Sequence, residues 1–188
     1  MREGDRYSKR CRRWNTAGHA HALTFSCYRQ RGLLLEGRFC RYLVGAIDAA
    51  RSAHAFDLWA YVFMPEHVHL VLYPTRDEYS IARILQSIKQ PVARKAMAFL
   101  TEHRPDDLQR LATGQQRRAR QFWQKGGGYD RNITKVKTLI ETVRYIHNNP
   151  VRRGLVQTAT QWRYSSAGAW EGTGAGPIAI DRDSFPVF

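Results

Sequence analysis

The sequence predicts an α+β fold in which helices pack on an antiparallel sheet. Runs rich in β-branched and aromatic residues alternate with segments of helical periodicity, in the order strand, helix, hairpin, helix, strand, helix. The chain has 188 residues, of which 43% are hydrophobic, and this is enough to build one core of ordinary domain size. No internal repeat is visible in the sequence, so we expect a single domain.

The first half of the chain supplies a strand, a helix and a hairpin. Residues 21–28 carry β-branched and aromatic side chains and run into a polar turn, which predicts a strand. Residues 38–53 place apolar side chains at helical spacing. Two short apolar runs follow at 58–64 and 67–73, with only Pro65 and Glu66 between them, and they predict a hairpin of two buried strands.

The second half begins with a helix predicted at 81–100, kinked before Pro91, and a polar Gln- and Arg-rich connection at 101–120. Three glycines after Lys125 permit a tight turn or a close backbone approach to a ligand. Residues 129–133 predict a strand, and residues 134–148 a helix that Thr134 caps and Pro150 ends. This order predicts a ferredoxin-like sheet, shared with RRM-like modules, with its helices on one face.

The domain organisation follows from composition. Residues 1–17 are basic and lack apolar periodicity, which predicts an N-terminal arm. Residues 18–170 are expected to form the domain, and the Gly-rich residues 171–188 a C-terminal tail.

The charge balance predicts a polyanionic partner. Lys and Arg number 30 against 16 Asp and Glu, which gives a net charge of +14 and a pI near 10.3. Most of the basic residues are Arg, whose planar guanidinium matches phosphate and stacks on bases, so nucleic acid is favoured over a membrane surface. The residues expected to contact phosphate lie in the arm and in the second helix: Arg6, Arg10, Arg12, Arg13, Arg83, Lys89, Arg94 and Lys95.

No membrane partner is expected. No stretch approaches the roughly 20 consecutive apolar residues of a membrane span, and the N-terminus is too charged for a signal peptide. We therefore expect a cytoplasmic, nucleoid-associated protein. Cys11, Cys27 and Cys40 are odd in number and lack metal-binding spacing, which predicts reduced thiols, the last two packed in the core.

His67 and His69 are candidate metal ligands. They lie two residues apart in a predicted strand, so both imidazoles leave the same face of the sheet. Two such nitrogens can bind a divalent metal and leave open positions for a phosphate oxygen and water. Surface or hydrogen-bonded core histidines are the alternative. His19 and His21 share the spacing, but they begin a strand after a glycine, where the geometry is less constrained.

The last predicted helix presents Tyr145 and Asn149 away from its apolar stripe. At about 100° per residue they fall at about 180° and 220° from Val136, which lies on the stripe, and as an i, i+4 pair they lie one above the other. A tyrosine hydroxyl can attack a phosphodiester that a metal polarises. A tyrosine packed under the tail or the Gln-rich connection is the alternative. The Asp and Glu residues do not form the cluster of carboxylates that is usual in two-metal nucleases, which weakens the alternative of a hydrolytic nuclease.

Three segments in this order carry a family resemblance: MPEHVH at 64–69, FWQKGGGYDRN at 122–132 and YIHNNPVRRGLV at 145–156. Together they resemble the REP-associated tyrosine transposases, which are relatives of the single-strand transposases of small bacterial insertion sequences. The resemblance covers most of the chain, from about the first strand to residue 166.

The resemblance implies an HUH endonuclease and strand transferase. Within it, His67 and His69 match the paired metal ligands, Tyr145 matches the nucleophile, and Asn149 matches the position of a third ligand that is commonly Gln. The implied cofactor is Mg²⁺ or Mn²⁺, whereas paired imidazoles alone would favour zinc. The tyrosine is expected to attack single-stranded DNA, form a 5′-phosphotyrosine link and free a 3′-hydroxyl. The expected substrate is a hairpin-forming repetitive extragenic palindrome, bound by a monomer or a homodimer.

The alternative function is a non-catalytic nucleic-acid-binding module of RRM-like fold. Trp59, Tyr61 and Phe63 lie in one predicted strand, and aromatic residues on an open sheet face stack on bases in such modules. A binding module would hold its ligand without metal, whereas the enzyme needs metal for cleavage.

Overall fold

The computed structural model describes residues 14–116, 119–126 and 128–186. A four-stranded sheet lies at its centre, in the order β2-β3-β1-β4, and every neighbouring pair of strands is antiparallel. The strands are β1 (Ala20–Ser26), β2 (Phe56–Phe63), β3 (His67–Pro74) and β4 (Tyr129–Ile133). This order confirms the predicted α+β fold with its ferredoxin-like sheet.

The helices of the described residues connect these strands and follow them. They are α1 (Gly37–His54), α2 (Ile81–His103), α3 (Pro105–Gln109), α4 (Val136–His147), α5 (Asn149–Arg152) and α6 (Ala167–Glu171). Short 3₁₀ turns occur at Tyr28–Gln30, Leu33–Leu35 and Ala159–Gln161.

α1 and α2 cover one face of the sheet. The strand residues on this face alternate with those of the other face, as the pleat requires, and they are buried together with the apolar stripes of both helices. The cluster includes Leu23, Phe25, Val68, Leu70, Leu43, Ile47, Ile84 and Ile88.

α4 covers the opposite face, so the expectation that all helices lie on one face is wrong. Ala22 of β1 and Val71 of β3 are buried here against Leu139 and Val143 of α4. The reason is visible in the sequence of the hairpin, whose two strands are nearly continuous apolar runs. Such runs are typical of strands buried on both faces, whereas a strand with one wet face alternates.

Two predicted helix boundaries are also corrected. Thr134 does not cap α4, because the N-cap is Lys135 and it makes no side-chain capping bond. Pro150 does not end helical structure, because it lies in the first turn of α5, where its missing N–H costs nothing. α2 continues through Pro91 to His103.

The segments expected to be a connection and a tail both pack on the domain. The 101–120 connection contains α3 and buries Leu108 and Leu111 in the core. In the tail, Ile178 and Phe185 are 2% and 6% exposed. The backbone N–H of Asp181 donates to the Leu58 carbonyl at 2.9 Å, so the tail covers the outer edge of β2.

The structure also bears on membrane-spanning helices and on the cysteines. None of the described helices combines the length and the apolar composition that a membrane crossing needs. Cys27 and Cys40 are free and buried, as predicted, and burial raises the pKa of each thiol to about 12.

His147 of α4 makes the stability of the fold depend on pH. Burial lowers its pKa to about 4, and its Nε2 lies 2.8 Å from the Ser166 hydroxyl. The unfolded chain binds a proton on the His147 imidazole near pH 6.5, and the folded chain does not until about pH 4. The stabilisation present above pH 6.5 is therefore lost as the pH falls towards 4.

His147→Gln tests this pH dependence. The free energy of unfolding, measured by urea titration, is compared at pH 7 and at pH 5, and we expect the difference between the two values to be about 2 kcal/mol smaller in the variant than in the parent. An identical difference in both proteins contradicts this expectation.

Candidate active site

The paired histidines lie at the start of β3, on the face that α4 covers. His69 pairs with Thr24 of β1 and His67 pairs with Ser26. Their Nε2 atoms are 2.9 Å apart. Both side chains therefore converge, as expected for alternate residues of one strand.

Each histidine has a partner on its other ring nitrogen. The Nδ1 of His67 lies 2.9 Å from Glu66 Oε1, and the Nδ1 of His69 lies 2.8 Å from the Thr24 hydroxyl oxygen. Because a carboxylate only accepts, the Nδ1 of His67 carries the proton and its Nε2 is left with a lone pair that faces the Nε2 of His69. Metal-binding histidines are commonly oriented by such partners on the second nitrogen.

Electrostatics keep both rings neutral at pH 7. Burial lowers the pKa of His69 to about 4, and the neighbouring His67 adds to this effect. Burial also lowers the pKa of His67, although its hydrogen bond to Glu66 acts in the opposite direction. Neutral imidazole is the form that binds metal ions.

The donor set fits a divalent ion in part. Two nitrogens bonded to one ion at about 2.1 Å lie about 3 Å apart when the bonds meet near a right angle, which is close to the observed separation. Within the described ranges, no group of three His, Cys, Asp or Glu side chains could hold a metal. An ion at the histidine pair therefore needs a further donor of another type, such as an amide, a phosphate or water.

Glu66 is a residue that sequence reasoning missed. Its Oε1 accepts hydrogen bonds from both His67 and the guanidinium of Arg153, the residue that follows α5. Partial burial raises the pKa of Glu66, but the bonds from Arg153 and His67 outweigh this and hold the pKa below its ordinary value. Its position next to His67 in the hairpin turn was the available signal.

Tyr145 lies beside the histidines and is accessible. Its residue is 51% exposed, and its ring centre is 6.3 Å from that of His69, at an angle of 79°. The guanidinium carbon of Arg152 lies 5.1 Å from the centre of the Tyr145 ring. The expectation that Tyr145 points away from the packed stripe of its helix is confirmed.

The expectation that Asn149 shares this outward face is wrong. Asn149 is 9% exposed and belongs to α5, because α4 ends at His147. Its amide nitrogen donates to the main-chain carbonyls of Tyr145 and Ile146 at 3.1 and 3.4 Å. Since the amide oxygen makes no hydrogen bond within the described residues, it is free to act as a donor to a metal.

A cleft of about 600 Å³ lies between α4 and the β1–β4 side of the sheet. His69 and Tyr145 both line it, together with residues of β4 and α4 that include Tyr129, Arg131, Thr138 and Glu141. An aromatic hydroxyl and a neutral imidazole thus share one open space. This arrangement suits attack of the hydroxyl on an electrophile held near the histidines.

The second His-x-His pair has a different environment. His21 is fully buried on the α2 side of the sheet, where Nδ1 lies 2.8 Å from Asp130 and Nε2 lies 2.8 Å from the Tyr79 hydroxyl. His19 lies 3.1 Å from the side-chain nitrogen of Asn132. Both nitrogens of His21 are occupied within a buried network, whereas His19 is only half-buried, so this pair does not converge as His67 and His69 do.

Gly128 explains one part of the glycine run. A Cβ at this position would overlap the carbonyl oxygen of Thr24, and its φ is +69°. The close backbone approach that Gly128 permits is therefore to β1. The absence of a side chain at Gly128 lets the beginning of β4 lie close to β1, the strand that contains Thr24.

The predicted phosphate contacts are divided. Arg6, Arg10, Arg12 and Arg13 lie outside the described residues. The four on α2 lie across the sheet from the histidines, and of these Lys89 and Arg94 line a groove of about 420 Å³. Arg120 and Lys125 also line this groove, and sequence reasoning missed both.

The other two basic residues predicted on α2 lie outside the groove. Arg83 is exposed, and the Lys95 ammonium lies over the Tyr42 ring, 5.7 Å from its centre.

The aromatic residues that supported an RRM-like binding module are buried. Trp59, Tyr61 and Phe63 are 3%, 0% and 1% exposed. Because α4, α6 and Phe185 cover one face of β2, and α1 and Ile178 cover the other, these rings cannot stack on bases. The structure removes the observation that favoured this alternative.

Comparison with known proteins identifies relatives for most of the chain. Residues 16–149 match the family model described as IS200-like transposase. A curated protein of Haemophilus influenzae, described as a REP-associated tyrosine transposase, is 27% identical over an alignment of 143 residues, and the match covers 71% of this chain and 76% of that protein. A solved structure of a REP-associated tyrosine transposase bound to a REP hairpin has a TM-score of 0.69 at 21% identity, covering 96% of this chain and 95% of that chain.

Proposed function

Because the chain belongs to the IS200-like transposase family, we propose that it is a metal-dependent endonuclease and strand transferase that acts on single-stranded, hairpin-forming DNA. The observation that carries the proposal is the cleft in which an exposed tyrosine, Tyr145, lies beside the paired histidines of β3. In this proposal Tyr145 is the nucleophile, and His67, His69 and Asn149 are the metal ligands.

The chemical step is a transesterification. The Tyr145 oxygen forms a bond to phosphorus while the bond between phosphorus and the 3′-oxygen breaks. The phenolic proton is lost to solvent, and the departing 3′-oxygen takes up a proton. The product is a 5′-phosphotyrosine link and a free 3′-hydroxyl, and attack by that hydroxyl in the reverse direction reseals a strand.

A divalent ion, Mg²⁺ or Mn²⁺, would be held by the two Nε2 atoms and the Asn149 amide oxygen, and it would polarise the scissile phosphate and stabilise the charge that develops. Glu66 and Thr24 orient the two imidazoles through their Nδ1 atoms. Arg153 holds Glu66 in place. Arg152 lies next to the Tyr145 ring, where its guanidinium is placed to contact an oxygen of the phosphate that Tyr145 attacks.

The proposed substrate is a REP-type hairpin with a single-stranded flank. The relative of known structure is bound to a REP hairpin. In this chain, the groove lined by Lys89, Arg94, Arg120 and Lys125 is suited to the phosphate backbone of such DNA, whatever its sequence. We propose that the protein acts on this DNA in the cytoplasm, at the nucleoid, as a monomer or a homodimer.

End labels on the DNA test the polarity of the reaction. A pool of hairpin oligonucleotides with randomised single-stranded flanks is labelled at the 3′ end in one reaction and at the 5′ end in another. Each is incubated with protein and Mg²⁺ or Mn²⁺ and then denatured. We expect the 3′ label on the protein and the 5′ label on a shortened strand that ends in a 3′-hydroxyl. Free 5′-phosphate ends without a protein adduct would instead identify a hydrolytic nuclease.

A further inference from the structure

One wall of the cleft beside Tyr145 is formed by β4, the edge strand of the sheet. Tyr129 and Arg131 lie two residues apart on this strand, so their side chains leave the same face, the one that α4 covers. Both residues line the cleft together with His69 and Tyr145. The motif that contains them contributed to the family resemblance, yet the proposed chemistry gives neither residue a role.

Neither side chain has a partner within the described part of the chain. Tyr129 is 56% exposed, and Arg131 is also exposed. Among the described residues, no hydrogen bond, ion pair or ring contact involves either side chain. Asp130 between them has the opposite environment, because it is buried against His21 on the other face. The cleft wall therefore presents an aromatic face and an unpaired guanidinium.

The sheet register places this wall close to the histidines. Tyr129 pairs with Thr24, and Thr24 pairs with His69, so the three residues lie side by side on neighbouring strands. Adjacent strands are about 4.8 Å apart, which puts the Cα atom of Tyr129 about 10 Å from that of His69. A nucleotide stacked on Tyr129 thus lies within one or two nucleotides of a phosphate held beside His69.

We infer that Tyr129 and Arg131 form a subsite for an unpaired nucleotide of the DNA strand, next to the phosphate that Tyr145 attacks; this inference rests on the proposed function. The base stacks on the Tyr129 ring, as bases do on exposed aromatic residues of single-strand-binding proteins. The guanidinium of Arg131 contacts the adjoining phosphate. Glu141 on the α4 wall repels phosphate, so the strand's backbone follows β4 and the base edge faces the helix.

The test measures binding without chemistry. All variants are made in the Tyr145→Phe protein, and the probe is a short fluorescein-labelled single strand of mixed sequence, whose affinity is measured by anisotropy across a salt series. Tyr129→Ala is expected to weaken binding by about 5- to 100-fold with an unchanged salt slope, whereas Tyr129→Phe keeps the ring and the affinity. Arg131→Ala is expected to weaken binding and to lower the salt slope by about 0.7. Arg41→Ala, which removes an equal charge from the solvent-exposed side of α1, is the control.

The possible outcomes separate this inference from the proposed function. Tyr129→Ala binding as tightly as Tyr129→Phe overturns the subsite, and so does an Arg131→Ala effect no larger than that of Arg41→Ala. The expected losses support the subsite even where the protein with Tyr145 intact forms no covalent adduct, and in that case the proposed chemistry alone fails. The reverse pattern, an adduct with unchanged binding in both variants, overturns the subsite and leaves the chemistry standing.

Discussion

Tyr145→Phe is expected to abolish the covalent adduct between protein and DNA completely. The substitution removes the oxygen that forms the bond to phosphorus and leaves the ring, so the contact with Arg152 and the shape of the cleft are retained. DNA binding, measured by anisotropy, is therefore expected to stay within about threefold of the parent, because a single hydrogen-bonding group is lost. Denaturing gels of end-labelled hairpin DNA measure the adduct.

Tyr164→Phe is the matched control for this prediction. Its hydroxyl only approaches the Gly37 carbonyl, at 3.4 Å, and it lies away from the cleft. We expect this variant to form the adduct at the parent rate. An undiminished adduct in Tyr145→Phe would show that another residue is the nucleophile and would overturn the proposed mechanism.

Replacing both histidines of β3, in His67→Ala with His69→Ala, is expected to lower the rate of adduct formation at least about a thousandfold. The reason is that Lewis-acid stabilisation of a phosphoryl group is worth several kcal/mol and is lost with the ion. Adding a chelator to the parent protein is expected to have the same effect. Hairpin binding is expected to persist in both cases, because the basic groove lies on the other face of the sheet.

Glu66→Gln gives a graded version of the same experiment. It keeps a hydrogen-bond acceptor beside His67 but removes the charge, so we expect metal affinity, measured by the Mn²⁺ dependence of cleavage, to fall by about 10- to 100-fold. Cleavage that persists in chelator and in the double histidine variant would contradict a metal site. A closed four-coordinate zinc site without room for phosphate would contradict the proposed role of the ion.

Local patterns in the sequence were sufficient for the elements of the sheet and for part of the site. β4 spans the residues that its composition predicts, and His67 and His69 converge because alternate residues of any strand share a face. Tyr145 is exposed because the helical period places it opposite a buried stripe. Each of these outcomes depends on residues close together in the chain.

The same local reasoning failed where the period itself was interrupted. The helical wheel placed Asn149 on the outward face, but the wheel holds only while one helix continues, and α4 ends before Asn149. The side chain instead turns back to the last carbonyls of α4 and is buried. An Asn-Pro pair after a helix was a signal of this break, because proline fixes the start of a new turn.

The sequence by itself determined the α+β class, the family, the paired imidazoles and the outward tyrosine, since all of these are carried by neighbouring residues and by motifs. Only the tertiary structure decided that α4 lies across the sheet from α1 and α2, which puts Tyr145 against His69. It also brought Arg153 to Glu66, and Tyr129 into one cleft with Tyr145. The physical reason is that these contacts join residues far apart in the chain, and side-chain packing and hydrogen bonding select them only after the sheet has formed.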